Sequence, residues 1–353
     1  MSTRAAGRMF ALTLALAPAG LLSSAALSQA QAQAQAQAQV RPSEGYTSPR
    51  TEHGHPDLQG NWGTATITPL ERPAGQGAVL SDEEVARLEG REAEFFQAGL
   101  QPSDPDRPAP PAGTSVGGYN RVYFDRGDRV AIVDGEPRSS LITNPADGQV
   151  PQLTPDGERR RQELRDLNAR FGEYDNPENR PNGERCLVSF GSSAGPPMVP
   201  NNFYNNNYTI VQNEDHVLIL TEMVHDYRIV RLWDGERLPD HMRPWFGDSW
   251  GRWEDDTLVV ETTNLHPLQR WRGIPSDELR VVERFRRTDD STIRYEFTIH
   301  DPAYGQPWGG EIPMVRLDDL LYEYACHEGN YALFNVLSGA RAQERQARES
   351  QQR

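Results

Sequence analysis

The chain has 353 residues, 25% of them charged and 36% hydrophobic, and a formal charge of −15. All 36 basic residues are arginine, which excludes a P-loop lysine, a pyridoxal-phosphate Schiff base and any lysine nucleophile. The acidic balance argues against a nucleic-acid partner, and two cysteines cannot build a four-thiolate zinc or iron–sulfur site.

Residues 1–30 read as a secretory signal peptide, with Arg4 and Arg8 ahead of the apolar run Met9–Leu22 and small residues at Ser28 and Ala30. That run is short for a membrane span, and no later segment approaches the needed length. The expectation is a cleaved leader, a periplasmic or secreted location and no stable membrane insertion. Loss of Arg4 and Arg8 takes the formal charge from −15 to −17. Residues 31–55 form a low-complexity, disordered leader, and a single β-rich domain follows over 56–335. Within it, 56–200 supplies a first strand at Gly60-Asn61-Trp62, continuing through Ala65–Thr68, plus helical and looped cover. Ser81-Asp82-Glu83-Glu84 has the pattern of a capping box opening a helix with Val85, Leu88, Phe95 and Phe96 as its apolar stripe. Pro102–Gly118 is a Pro/Gly-rich loop, Tyr119–Val133 is strand-like, and Pro155–Arg170 is a charged helix.

Residues 204–335 read as an antiparallel meander. Strands are expected at Tyr208–Gln212, Val217–Val224, Tyr227–Leu232, Trp253–Thr263, Leu279–Thr288, Thr292–His300, Glu311–Leu317 and Leu321–Cys326, separated by turns such as Asn213-Glu214-Asp215 and Asp289-Asp290-Ser291. A closing helix spans Ala332–Arg348, and 336–353 is a C-terminal helix or tail. The fold class is mainly β, an antiparallel lipocalin-like barrel or strongly bent sheet with a few peripheral helices.

Alternation assigns the faces of the 279–300 hairpin. Leu279, Val281, Glu283 and Phe285 share one face, matched by Ile293, Tyr295, Phe297 and Ile299. Arg280, Arg284, Arg286, Arg294, Glu296 and His300 take the other, with cross-strand Arg–Glu pairs. Glu283 is the misfit: on an apolar face it is either an acid/base group with a desolvated carboxyl or half of an ion pair with an inward arginine, Arg185 or Arg228. The parity of the preceding strand gives His225 the face of Val217, Ile219 and Met223, and puts Arg228 on the opposite one with Glu222. His225 beside Asp226, and His327 after Cys326 at a second strand end, are candidate proton carriers or, equally, turn and strand caps.

Gly60-Asn61-Trp62 resembles the G-x-W opening of lipocalins. The motifs GHPDLQGNW (54–62), ITPLERP (67–73), GERCL (183–187), GPPM (195–198), YNNNYTIVQ (204–212), EMVHDYRIVRL (222–232), GDSWGRWEDDTLVVETTN (247–264) and YEYACHEGNY (322–331) together resemble a large group of exported, functionally uncharacterised bacterial proteins. At Asp255 that group more often has Gly. The resemblance implies export and a barrel, and brings no reaction with it.

Among chemical constellations, His53-Gly54-His55 lies in the leader, and no H-E-x-x-H or paired Cys motif occurs. A composite metal site from His225, His327, Asp248 and Glu283 is conceivable, but neither a metal nor a cofactor is expected. Gly191-Ser192-Ser193-Ala194-Gly195 satisfies G-x-S-x-G in form, yet Pro196-Pro197 follows where a helix should begin. Cys186 and Cys326 either pair, as an oxidising compartment allows, or stay as two buried thiols. The first functional expectation is a cofactor-independent acid–base enzyme, a lyase, hydratase/dehydratase or isomerase, acting on a small apolar or aromatic molecule. Its catalytic residues are His225, Glu283, His327, Asp248, which orients a histidine, and Arg228; Tyr204, Asn205, Arg185 and Trp253 bind substrate. The alternatives are a non-catalytic carrier holding a hydrophobic ligand inside the barrel, and a carbohydrate-active hydrolase or lyase with tryptophan platforms. The sequence leaves the oligomeric state open.

Overall fold

In the computed structural model the described residues are 45–102, 106, 126–189, 195–199, 205–233, 235–275 and 277–352, with the backbone alone described at His225 and Arg270. The expected signal peptide, most of the Pro102–Gly118 loop, residues 119–125 and Ser193 lie outside them.

The strands in chain order are β1 Gly60–Gly63, β2 Ile132–Val133, β3 Glu136–Pro137, β4 Ile142–Asn144, β5 Asn207–Gln212, β6 His216–Thr221 and β7 Tyr227–Arg231. They continue as β8 Asp248–Glu254, β9 Thr257–Thr263, β10 Arg270–Trp271, β11 Ile274–Pro275, β12 Arg280–Asp289, β13 Thr292–His300 and β14 Trp308–Leu317. Nine of them close a barrel in the order β1-β5-β6-β7-β8-β9-β12-β13-β14, with β14 pairing back onto β1. One edge of β14 is shared, by β4 at Gly309–Gly310 and by β1 at Val315–Leu317. Closure removes the free sheet edge that an open sheet of this length would expose.

The mainly β, lipocalin-like barrel expected from the sequence is therefore present, with three corrections. Leu321–Cys326 is not a strand. Trp253–Thr263 is two strands, because Asp255 adopts φ +51° and turns the chain between β8 and β9. The meander is not wholly antiparallel: β8 runs parallel to β7, paired only at Val230–Ser249 and Arg231–Trp250, because the long 232–247 connection returns the chain in the same direction. In addition β1 stops at Gly63, short of the Ala65–Thr68 continuation.

The 279–300 hairpin follows its alternation. Val281, Glu283 and Phe285 face Ile299, Phe297 and Tyr295 across β12–β13, and all are buried. An aromatic ladder runs along this wall: Phe285–Tyr295 at 5.0 Å between ring centroids, Tyr295–Phe297 at 6.3 Å, Phe297–Trp308 at 6.2 Å and Trp308–Trp271 at 5.1 Å. Such offset and tilted contacts suit the ring quadrupole and add to the burial of large apolar area. With Trp62, Tyr208, Ile210, Ile219 and Met314 these rings fill the interior.

Among the described residues three helices lie on the outside, α1 Asp82–Leu100, α2 Pro155–Ala169 and α3 Tyr331–Gln351. The capping box is present, Ser81 Oγ accepting from Glu84 N at 3.3 Å while Glu84 accepts from Ser81 N at 2.8 Å. The apolar stripe of α1 is not a core face, however. No residue of this helix is buried, and it is held instead by polar contacts of Glu89 and Glu92 with Arg129 and Arg126. Helix α2, capped by Thr154, docks through buried Arg160, which reaches Asp301 at 2.9 Å and Asp277 at 3.1 Å. Residues 45–56 pack on the barrel rather than hanging free: Arg50 pairs with Asp256 and His55 stacks on Trp253. None of the described helices is long and apolar enough to cross a membrane.

Gly309 and Gly310 let three strands converge. A Cβ at Gly309 would lie 2.0 Å from the Phe297 carbonyl oxygen, and one at Gly310 would lie 1.9 Å from that of Leu141. Either position changed to Ala forces β13 or β4 away from β14, at a cost of about 1–3 kcal/mol for overpacking. Thermal melts of Gly309→Ala and Gly310→Ala should both fall. An unchanged melting temperature would show that the strands can separate freely there.

Candidate functional site

Inside the barrel, Glu283 on β12 is fully buried, and both of its oxygens are engaged. Arg228 on β7 donates to them from Nη1 at 2.7 Å and Nη2 at 2.9 Å, and the Tyr295 hydroxyl donates to Oε1 at 2.8 Å. Tyr295 in turn accepts from the Met198 N–H at 2.9 Å, so the GPPM segment is tied to the lumen. Burial presses against the charge on Arg228, but the Glu283 carboxylate more than offsets it and keeps the guanidinium charged. Burial, then the neighbouring Glu283 carboxylate, pushes the Tyr295 hydroxyl well above its ordinary value, and burial does the same for Tyr208.

Of the two readings of Glu283, the geometry matches the ion pair, and the partner is Arg228 rather than Arg185. Parity had placed Arg228 on the face away from Val217, and the structure reverses this. Strand β6 ends at Thr221, and a 3-10 turn at Met223–His225 with Val224 at φ +65° intervenes before β7. The turn resets the alternation and sends Arg228 inward beside Val230.

The β6–β7 turn lies at the end of the barrel formed also by the starts of β8 and β14. There Met223 and Val224 join Cys186, Cys326 and Tyr324 in one apolar cluster. Cys186 and Cys326 form a disulfide, which decides the alternative the sequence left open. Asn330 locks the same corner, its amide donating to the Glu184 carbonyl at 2.9 Å and touching Cys186 Sγ at 3.4 Å. His225 and His327 are thus each one residue from this cluster, on segments that sequence separates by about a hundred positions. A groove of about 670 Å³ lies beside it, lined by Glu184, Tyr324, Cys326, Glu328, Asn330 and Val336 among others.

Other expected residues are placed elsewhere. Asp248 is buried and orients no histidine among the partners seen. Its oxygens accept from Arg231, from the Leu238 N–H at 2.9 Å and from the Trp250 indole at 2.9 Å. Trp253 lies further along β8 and stacks on His55. Arg185 is half-buried in the turn leading to Cys186, where its N–H donates to the Pro181 carbonyl at 3.2 Å. Asn205, at φ +57°, precedes the buried Asn206, whose carbonyl accepts from Thr64 N at 2.9 Å. Tyr204 lies outside the described residues. His327 is exposed and sits on irregular chain, not at a strand end, because 321–326 form none. Residues that the sequence reading missed are Tyr295 and Tyr208 as lumen polar groups and Asn330 as the lock. Tyr295 was recognisable as inward, and a buried phenol normally has a hydroxyl partner.

The packed interior bears on the carrier expectation. A hydrophobic ligand inside the barrel would have to displace Tyr208, Phe285 or Tyr295, all fully buried.

Buried tyrosines set an alkaline limit. The hydroxyls of Tyr208 and Tyr295 are raised by burial, and that of Tyr304 is pushed up to about 12, again by burial first. In the unfolded chain they ionise near their ordinary value of about 10. The native state then holds more protons than the unfolded one, so stability is complete below about pH 10 and is lost as pH rises beyond it. The tyrosinate absorbance of these three side chains should appear together with loss of the near-ultraviolet circular dichroism signal. Ionisation of Tyr208, Tyr295 and Tyr304 at about pH 10 in a still-folded protein would contradict it.

No family model, curated protein or solved structure matches this chain.

Proposed function

We propose that the protein is an exported acid–base enzyme, of lyase, hydratase/dehydratase or isomerase type, acting on a small apolar or aromatic molecule at the disulfide end of the barrel. The observation that carries the reading is the cluster of Met223, Val224, Cys186, Cys326 and Tyr324, which joins the two histidine-bearing segments, and of which Tyr324 and Cys326 also line a groove. Acid–base turnover needs one group to give a proton and another to take it, and His225 and His327 are the pair assigned here. Tyr324, Val336 and Cys326 give the groove apolar surface for the substrate body.

Backbone strain supports the same location. Val224 at φ +65° and Cys186 at φ +55° are non-glycine residues in the left-handed region, and both belong to this cluster. Strain of that kind costs of order 1–3 kcal/mol and gathers where a site holds its chain in a fixed pose. In this reading Glu283 is not the base, since Arg228 and Tyr295 already occupy its oxygens. The pair instead fixes the start of strand β7, and with it the placement of His225; Arg228 and Glu283 are positioning residues.

The test is solvent-deuterium incorporation into a panel of small aromatic and enoyl hydroxy compounds, followed by mass spectrometry. His225→Gln and His327→Gln should each slow exchange by about 10²–10⁴-fold while the melting temperature holds. Full-rate exchange by the well-folded double variant, or bound compounds that never exchange a proton, would overturn the proposal.

A further inference from the structure

The turn that follows β9 is fastened by a titratable side chain at a position where such turns commonly use one that does not titrate. In His266-Pro267-Leu268-Gln269 the Gln269 N–H donates to the His266 carbonyl at 2.9 Å, and His266 Nδ1 accepts from the Leu268 N–H at 3.1 Å. Proline at the second position, with a side chain at the first accepting the third N–H, is an arrangement favoured by Asn and Asp. Here the acceptor is an imidazole. Because Nδ1 accepts, it carries no hydrogen, so the ring is neutral with its proton on Nε2. The ring also stacks on Trp245, with centroids 4.1 Å and planes 24° apart, and Trp245 packs on buried Val188 and Phe246. Several segments meet at this turn. The His266 N–H donates to the Pro244 carbonyl at 3.0 Å, Asn182 Nδ2 donates to the Leu268 carbonyl at 2.9 Å, and Gln269 Nε2 reaches the Gly195 carbonyl at 3.4 Å. Asn182 opens the turn that runs through Gly183 and Glu184, which line the groove, to Cys186 of the disulfide.

We infer that the His266–Leu268 bond is an acid-operated latch, closed while the imidazole is neutral and released when Nδ1 takes a proton, which loosens the 264–269 turn from the 182–188 segment. Protonation leaves two donors facing each other, Nδ1–H and the Leu268 N–H, and turning the ring over puts a carbon in the acceptor's place. Leu268 is 39% exposed, so water takes over its N–H and the turn opens without unfolding the barrel. The surroundings favour the neutral ring. Burial first, then the guanidinium of Arg243 on the 232–247 connection, hold the His266 pKa below its ordinary value. Arg243 is itself fixed on the carbonyls of Asp240 and Asp277, and Asp240 and His241 of the same connection are exposed. The 264–269 turn and residues 195–199 carry no charged side chain. On the 182–188 segment Glu184 is bound by Arg180, which leaves Arg185 as a second positive group there. A histidine whose native pKa is lowered adds stability above its unfolded value of about 6.5, and that contribution is lost as pH falls below it. The latch therefore opens in mild acid.

Hydrogen exchange followed by mass spectrometry tests this, read as protection factors of peptides covering 264–269 and 182–188 at about pH 7.5 and about pH 5. In the wild type the protection of Leu268 should fall by about 3–10-fold in acid, the fold-change of one modest hydrogen bond, and the 182–188 peptide should loosen with it while β12–β13 stays protected. His266→Asn supplies an acceptor for the same N–H that does not titrate, so both peptides should stay protected at both pH values. His266→Phe keeps a ring for Trp245 but no acceptor, so Leu268 should be unprotected at both. Equal wild-type protection at the two pH values overturns the proposal, as does an Asn variant that keeps the wild-type response to acid. A Phe variant as protected as the wild type at about pH 7.5 overturns it too. None of these readouts depends on turnover, so they stand apart from the reaction assigned to His225 and His327.

Discussion

Changing Glu283 to Gln is expected to lower the unfolding free energy by about 3–5 kcal/mol, the usual result of removing one member of a buried ion pair. The side chain keeps its shape but loses its charge, leaving the Arg228 guanidinium uncompensated inside the barrel. Tyr295 loses the carboxylate to which it donates at 2.8 Å, so the effect reaches β13 and the Met198 tie as well. Arg228→Met alone should cost a similar amount, for the mirror-image reason. The double variant Arg228→Met/Glu283→Leu removes both charges and should recover most of the loss, because the two desolvation penalties disappear together. Chemical denaturation of the wild type, Arg228→Met, Glu283→Leu and Arg228→Met/Glu283→Leu closes a double-mutant cycle, with a coupling energy well above that of a surface pair. If each single variant lost less than about 1 kcal/mol, the ion pair would not be what holds these strands. Turnover adds a separate readout. A positioning role predicts that folded Glu283→Gln turns over more slowly with an unchanged pH profile, whereas loss of an acid/base group removes its limb of the profile.

The second large effect is expected from the disulfide. Cys186 and Cys326 are 140 residues apart, and a cross-link over a loop of that size restrains the unfolded chain by up to about 5 kcal/mol. Cys186→Ser/Cys326→Ser should therefore lose roughly 2–5 kcal/mol relative to the oxidised wild type. Reduction of the wild type should give a comparable drop in melting temperature. The bond also does local work, since Cys326 carries His327 and Cys186 packs on the turn that carries His225. Where the serine variant is kept folded at low temperature, deuterium exchange should fall. A folded serine variant with full exchange activity would separate the disulfide from the site, leaving it a stabilising link alone.

Much of this architecture can be read from residue order. Composition and alternation are local properties, and they fix β12 and β13, their inward faces and the anomaly at Glu283, because the two-residue period of a strand does not depend on distant chain. The capping box at Ser81–Glu84 is local for the same reason, as is the Thr154 cap of α2. The barrel class follows from the succession of short strands. Where period alone decided, it failed only where something interrupted it. Val224 in the left-handed region breaks the alternation between β6 and β7, and so Arg228 was assigned to the wrong face. Asp255 similarly divides β8 from β9.

What required tertiary structure is the pairing of distant groups. The identity of the Glu283 partner depends on which strand lies across the lumen, and that is settled by the closed strand order and not by spacing along the chain. The parallel placement of β8 beside β7 depends on the path of the 232–247 connection. The cysteines could be read as a pair or as two thiols until the fold set their Cα atoms 5.8 Å apart. The same closure brings the turn at Met223–His225 to the segment at Tyr324–His327. A sequence carries the residues that meet at such a place, but their meeting is a property of how many strands close the barrel and in what register, which only the assembled chain determines.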